Sequence, residues 1–179
     1  MTRKMSAVMI SFAVLASVAG YRALGSDAKG VDAKAAFERL KSLDGTWNAE
    51  TKKHEHAAAD KPQTVTYKVT ANGSVVMETL FPGTSHEMVS MYHVDGDDLR
   101  MTHYCAAKNQ PHLKLDKAAS TPDRLVFAFD GGTGFDPAKD FHMHSGWISI
   151  LDTKHIESEW DGYKGREKMH SEKFVLTRP

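Results

Sequence analysis

The sequence has little that would hold a fold together other than an ordinary core. It contains one cysteine, Cys105, and six prolines among 179 residues. A single cysteine cannot form an internal disulfide, which excludes a disulfide-stapled fold. Basic and acidic side chains balance at 23 each, so no charge excess would attract nucleic acid. Hydrophobic residues make up 41% of the chain, which is sufficient for one globular domain with its own core.

The sequence also lacks an apolar run of the roughly 20 residues that a membrane-spanning helix needs. The longest run, residues 5–18, follows two basic residues and precedes small ones. This order is typical of a secretory signal peptide, so we expect residues 1–25 to include one, with cleavage after Ala19 or after Gly25. The pattern predicts export to the periplasm or the extracellular space, without a stable membrane anchor.

One helix and about ten strands are predicted after this segment. Phe37, Leu40 and Leu43 recur at helical spacing, which predicts one short amphipathic helix over residues 31–43. From Gly45 onwards the hydrophobic residues alternate, as they do in half-buried strands. The predicted turns lie at 72–73, 95–98, 152–153 and 161–165, and a longer loop lies at 130–140. The short regular spacing suits an antiparallel sandwich or barrel, and we expect a single up-and-down β-barrel over residues 31–179.

The first two turns predict which side chains share the inner face of the barrel, because directly opposed residues of a hairpin point the same way. This face is apolar except for isolated polar groups, a composition typical of small-molecule sites. An alternative is that Glu78 and His103 satisfy each other in a packed core. The predicted ligand-binding residues are Tyr67, Val69, Val76, Glu78, Met88, Ser90, Tyr92, Met101, His103 and Cys105.

The tripeptide Gly45-Thr46-Trp47 follows the predicted helix at the head of the first strand. This arrangement resembles the start of lipocalins and fatty-acid-binding proteins, the calycin superfamily. There the tryptophan closes one end of the barrel and a basic side chain packs over it, so the resemblance implies structural roles for Trp47 and Arg178. Residues 78–111 further resemble secreted bacterial lipocalin-like proteins that are mostly uncharacterised.

The ten predicted strands exceed the eight of true lipocalins. A barrel of ten strands is more similar to the nitrobindin-like barrels. Those barrels bind haem through a histidine, and the sequence does not identify such a residue. The resemblance therefore implies haem as one candidate cofactor without assigning its ligand.

The ten histidines include two pairs separated by one residue, His54 with His56 and His142 with His144. On a strand such a pair lies on one face about 6.5 to 7 Å apart, a spacing that one Zn²⁺ can bridge. A two-residue turn at 152–153 places His144 opposite Asp161 and both imidazoles outside the barrel. A turn one residue longer or shorter would reverse that assignment. The same register predicts a core face that carries Phe141, Met143, Trp147, Leu151, Ile156 and Trp160.

No nucleophile elbow, phosphate-binding glycine loop or His-Glu-x-x-His motif is present in the sequence. Cys105 and His103 share a strand face but lie too far apart for a direct hydrogen bond that would activate the thiol. We therefore interpret the chain as an exported binding protein for a small, largely apolar ligand. The alternatives are a zinc- or haem-binding barrel that uses His103 or the His142 and His144 pair, and a filled barrel that acts through its surface.

Overall fold

The computed structural model of the chain describes residues 30–50 and 63–179. The predicted signal segment and the His54 and His56 pair lie outside these residues. The described elements are one helix, α1 (Ala33–Lys41), and ten strands, β1 (Gly45–Ala49), β2 (Thr64–Thr70), β3 (Val75–Leu80), β4 (Met88–Asp95), β5 (Asp98–Tyr104), β6 (Gln110–Leu115), β7 (Arg124–Thr133), β8 (Phe141–Ile150), β9 (His155–Lys164) and β10 (Glu167–Thr177). Within the described ranges, no helix has the length and hydrophobicity that a membrane crossing requires.

The ten strands form a closed antiparallel barrel. Each strand pairs with its neighbours in the chain, and β1 closes the sheet against β10. The prediction of a single up-and-down barrel with one short helix is confirmed, and the sandwich alternative is wrong. Because alternate loops of such a barrel lie at the same end, α1 shares its end with the turns near residues 71–74, 96–97 and 151–154.

Helix α1 begins at Asp32, whose side chain accepts hydrogen bonds from the amides of Lys34 and Ala35. This N-cap satisfies two of the amides that a helix start leaves without partners. The apolar face of the helix, with Phe37 and Leu40, is buried. It packs near β2, β4 and β5 and covers one end of the barrel.

Trp47 closes the same end from the inside. Its side chain is fully buried, and its Nε1 donates a hydrogen bond to the carbonyl of Leu43 at 2.8 Å. The guanidinium of Arg178 lies 4.3 Å from the centre of the Trp47 ring and donates to the carbonyls of Ser42 and Asp44. These contacts join the last strand to the start of the first, as the calycin resemblance implies.

The registers predicted for the first two hairpins are confirmed. Val69 pairs with Val76 across the turn at 71–74, and Ser90 pairs with His103. Asn72 adopts a φ of 54°, in the left-handed region that asparagine tolerates better than most residues. The side chains assigned to the inner face of β2 to β5 therefore do face the barrel interior.

The register predicted for the β8–β9 hairpin is wrong by one residue between the turn and a bulge at residues 143–145, where Asp161 pairs with Ser145 rather than with His144. Ile150 pairs with Ile156 rather than with His155, because five residues separate the paired ends. Trp147 and Leu151 are consequently not part of the core. Trp147 is half-buried beneath the guanidinium of Arg124, 3.7 Å from its ring centre, and Leu151 is 61% exposed. Among the other residues predicted for this core face, Ile156, Trp160 and Met143 are buried and Phe141 is half-buried.

Candidate functional site

The barrel contains an open cavity of about 570 Å³ at the end opposite α1. Side chains of β3, β4 and β5 form one wall, and side chains of β8, β9 and β10 form the other. Most of the lining is apolar and much of it aromatic, with Leu80, Phe81, Met88, Phe141, Met143, Trp160 and Phe174. The polar lining residues are His86, His103, Asp161, His170, Ser171 and Glu172. Such a volume is in the range of small-molecule sites.

The structure divides the ten predicted ligand-binding residues into two groups. Met88, His103 and Cys105 line the cavity. The other seven face the barrel interior but are outside the described cavity lining, and they are Tyr67, Val69, Val76, Glu78, Ser90, Tyr92 and Met101. All of these except Val69 are buried, so the half of the barrel nearer α1 is filled by its own side chains.

Sequence reasoning missed the second wall of the cavity. Phe141, Met143 and Trp160 were expected only as core, and Phe174 and His170 were not singled out. The alternation along β10 is a signal for Phe174, but it does not show which strands β10 faces across the barrel. That information comes from closure of the sheet, which brings β8, β9 and β10 across one space from β3, β4 and β5.

Below the cavity a buried carboxylate is held by two tyrosines. The hydroxyls of Tyr67 and Tyr92 donate to Oε1 and Oε2 of Glu78 at 2.6 and 2.7 Å. Ser90 lies directly opposite Glu78 on the paired strand. Burial raises the pKa of Glu78, while the hydroxyls of Tyr67, Tyr92 and Ser90 act in the opposite direction. Burial together with the neighbouring carboxylate raises the pKa of both tyrosines, so their hydroxyls stay protonated and act as donors.

His103 connects this network to the cavity. Its Nδ1 lies 3.0 Å from the hydroxyl oxygen of Ser90, and its side chain is 1% exposed. The other ring nitrogen, Nε2, is buried and has no hydrogen-bond partner among the described residues. Burial lowers the pKa of His103 to about 4, so the imidazole is neutral at physiological pH. A neutral ring with one unsatisfied nitrogen at a cavity wall is suited to binding a polar group.

The depressed pKa of His103 predicts an acid-sensitive contribution to stability. The unfolded chain binds a proton at His103 below about pH 6.5, whereas the folded chain does so only near pH 4. Acid therefore favours unfolding, and the contribution is lost as the pH falls through this interval. Relative to His103→Leu, the free energy of unfolding of the wild type should fall by about 3 kcal/mol between pH 6.5 and pH 4.

Urea unfolding at several pH values measures this difference. The other ionisable side chains near His103 are present in both proteins and cancel in the comparison; they are Glu78 beyond Ser90, and His86, Asp161, His170 and Glu172 around the cavity. His93→Gln on the outer side of β4 is the matched control and should leave the pH profile unchanged. A wild-type profile parallel to that of His103→Leu would contradict the assignment of a neutral buried imidazole.

Aromatic residues surround the mouth of the cavity. Phe81 adopts a φ of 53°, which is uncommon for a bulky residue, and its ring packs against Phe174 with centres 5.8 Å apart. The ring of Phe141 stacks on His170 with centres 5.4 Å apart. A side chain at Gly162 would collide with both of these stacked rings, so glycine is needed there to keep the wall flat.

Cys105 lies beside Met88 in the wall that β3, β4 and β5 form. It is half-buried, and its Sγ lies 4.0 Å from the sulfur of Met88. Burial raises the pKa of the Cys105 thiol, which keeps it protonated. A protonated thiol is a weak nucleophile, so the surroundings of Cys105 suit an apolar lining role.

The His142 and His144 pair points away from the cavity. His142 pairs with Tyr163, while its neighbour Met143 pairs with Gly162 and lines the cavity. His142 Nε2 and His144 Nδ1 lie 3.1 Å apart, and both rings pack in an aromatic cluster with Phe129. Within residues 30–50 and 63–179, no group of three or more histidine, cysteine, aspartate or glutamate side chains is arranged to hold a metal ion.

Three histidines line the cavity and could supply a nitrogen to a cofactor there: His86, His103 and His170. A flat macrocycle such as haem needs direct access to the ligating nitrogen. Nε2 of His103 is buried, whereas His170 is exposed at the mouth. Of these two residues, His170 has the more accessible position for such a group.

Comparison with known proteins assigns no family to the chain. No protein-family model matches it, and no curated protein matches its sequence. The fold is therefore what can be compared with known proteins, and it is a closed ten-stranded antiparallel barrel with one short helix. This plan is consistent with a calycin-like barrel.

Proposed function

We propose that this protein binds a small, largely apolar molecule in the open half of a calycin-like barrel. The observation that carries the proposal is the cavity of about 570 Å³, closed below by a packed core and lined mainly by apolar and aromatic side chains. Burial of an apolar ligand against such a lining is favourable by roughly 25 cal/mol per Å² removed from water. The few polar groups, above all His103, would orient the bound molecule.

Tryptophan fluorescence tests the proposal, because only one of the three tryptophans lines the described cavity. Trp160 is in the wall, Trp47 is at the closed end and Trp147 is on the barrel exterior. The neutral fluorophore N-phenyl-1-naphthylamine should quench the wild type with saturation. Energy transfer to the fluorophore also reaches the two more distant tryptophans, so the quenching should fall most in Trp160→Phe and be largely retained in Trp147→Phe.

A matched pair of substitutions on β4 places the binding inside the cavity. Met88→Trp fills space in the wall and should weaken binding of the fluorophore by at least about tenfold, which corresponds to 1.4 kcal/mol. Met91→Trp adds the same side chain on the outer side of the same strand and should leave the affinity unchanged. Equal affinities in the two variants, or no saturable binding to the wild type, would overturn the proposal.

A haem-binding function is the second candidate, and the three cavity histidines favour it. Titration with haemin followed by visible spectroscopy tests it. A saturable Soret shift that His170→Ala abolishes would support haem binding at the mouth, whereas an unchanged spectrum would contradict it.

We further propose that the protein acts outside the cytoplasm. The basic start, the short apolar run and the small residues before position 25 support this location. Sequencing of the N-terminus of protein recovered from its host tests it, and a mature chain that still begins at Met1 would contradict it.

A further inference from the structure

We propose that the cavity selects neutral aromatic molecules that donate one hydrogen bond, such as phenols, through the unprotonated Nε2 of His103. This inference rests on the proposed binding function and adds the chemical class of the ligand. Its starting point is an unsatisfied atom. His103 is 1% exposed and lines the cavity, yet Nε2 has no partner in the described part of the chain. Leaving a buried polar atom without a partner is unfavourable, and a ligand that bonds to it removes that cost.

The hydrogen-bond network determines which nitrogen of His103 carries the proton. Tyr67 and Tyr92 donate to the two oxygens of Glu78, so both carboxyl oxygens act as acceptors. Ser90 lies directly opposite Glu78 on the paired strand and lowers the pKa of that carboxyl, as a hydroxyl does when its proton is directed towards a carboxylate. The Ser90 oxygen then accepts from Nδ1–H of His103, 3.0 Å away. Nε2 consequently presents a lone pair and no proton.

The charge state excludes most other polar ligands. His103 is neutral, since burial lowers its pKa to about 4. A carboxylate ligand would place its own lone pairs against that of Nε2, and such a contact is repulsive rather than bonding. A hydroxyl or N–H group would instead satisfy Nε2 without bringing a charge into the interior.

The lining favours an aromatic body for the ligand. Phe81, Phe141, Trp160 and Phe174 contribute rings to the cavity wall. Aromatic pairs in offset or edge-to-face contact are stabilised beyond what the area they bury accounts for. Because Nε2 is covered, contact with it requires a small movement of neighbouring side chains. Met88 and Met143 line opposite walls of the cavity and have the flexible side chains that permit such a movement.

Isothermal titration calorimetry at pH 7.5 with four related probes tests the inference. The probes are 2-naphthol, naphthalene, 2-methoxynaphthalene and 2-naphthoate. We expect 2-naphthol to bind about three- to tenfold more tightly than naphthalene, from one net hydrogen bond. Methoxynaphthalene, which has an oxygen but no donor, should gain nothing over naphthalene, and naphthoate should bind most weakly.

His103→Phe keeps a ring in the wall and removes the acceptor. This variant should retain naphthalene binding and lose the preference for naphthol, and His93→Gln is the control. Since His103→Phe could fail to fold, ¹⁵N NMR of wild-type imidazoles provides a second measurement. It should show His103 with Nδ1 protonated and Nε2 unprotonated.

The possible outcomes distinguish a failure of this inference from a failure of the proposed binding function. Equal affinities for naphthol and naphthalene, or an Nε2–H tautomer of His103, would overturn the selection of donors and leave apolar binding intact. If neither the four naphthalene probes nor N-phenyl-1-naphthylamine bind, the proposed function is wrong, and this inference is wrong with it.

Discussion

Replacing Trp47 by alanine should lower the free energy of unfolding by about 3 to 5 kcal/mol, the usual cost of removing a buried tryptophan. The Trp47 side chain is fully buried at the closed end and is hydrogen-bonded to the carbonyl of Leu43. Its removal also deprives the Arg178 guanidinium of the ring that it covers. The loss is large compared with the 5 to 15 kcal/mol that stabilise a typical domain.

Equilibrium urea unfolding followed by circular dichroism measures this effect without relying on tryptophan emission. Trp147→Ala is the matched control, because Trp147 is half-buried on the barrel exterior and has a cation–π contact with Arg124. We expect it to cost about 1 kcal/mol. Equal losses in the two variants would show that Trp47 is not the plug of the closed end.

The double substitution Tyr67→Phe with Tyr92→Phe should be the second severe change, with a loss of about 3 to 6 kcal/mol at pH 8. Each tyrosine donates a hydrogen bond to the buried carboxylate of Glu78, and such bonds to charged groups contribute about 1.5 to 3 kcal/mol. No salt bridge within the described ranges includes Glu78, so no cation replaces the missing donors.

The loss should be smaller at pH 5 than at pH 8. Removing the donors raises the pKa of Glu78 in the folded protein further. At a pH between this raised pKa and the ordinary pKa of glutamate, the folded variant holds a proton on Glu78 that the unfolded chain has released. Acid therefore stabilises the variant relative to the wild type. Urea unfolding of both proteins at the two pH values gives the difference.

Two further variants serve as references for this measurement. Adding Glu78→Leu to the double variant should restore most of the stability, because no buried charge is then left without partners. Tyr104→Phe, at a residue that is 50% exposed, should have no measurable effect. A loss that is independent of pH and not rescued by Glu78→Leu would mean that packing, rather than the carboxylate, explains the role of the tyrosines.

Much of the barrel could be predicted because its signals are local. Alternation identifies a strand, and turn residues such as Asn72 and Gly73 fix the pairing on either side of them. That is sufficient to place Ser90 opposite His103 and Tyr67 opposite Glu78, and both pairings are present. The donors to Glu78 could be anticipated as neighbours, although the hydrogen bonds themselves depend on side-chain conformations that register does not determine.

The β8–β9 hairpin shows where such reasoning fails. The residues Asp152 and Thr153 suggest a two-residue turn, but the paired ends are Ile150 and Ile156. A further register shift lies between Met143 and Ser145. Because side chains alternate with a period of two, each change of one residue reverses the faces beyond it, and Trp147 was therefore misplaced.

The sequence by itself determined the strands and the inner face of β2 to β5, since each depends on residues close together in the chain. Only the tertiary structure decided that the half of the barrel near α1 is filled, and that the other half is an open cavity with Phe141, Trp160 and Phe174 as its second wall. The physical reason is that closure joins β1 to β10 across the whole chain, and no local pattern encodes what then lies opposite His103.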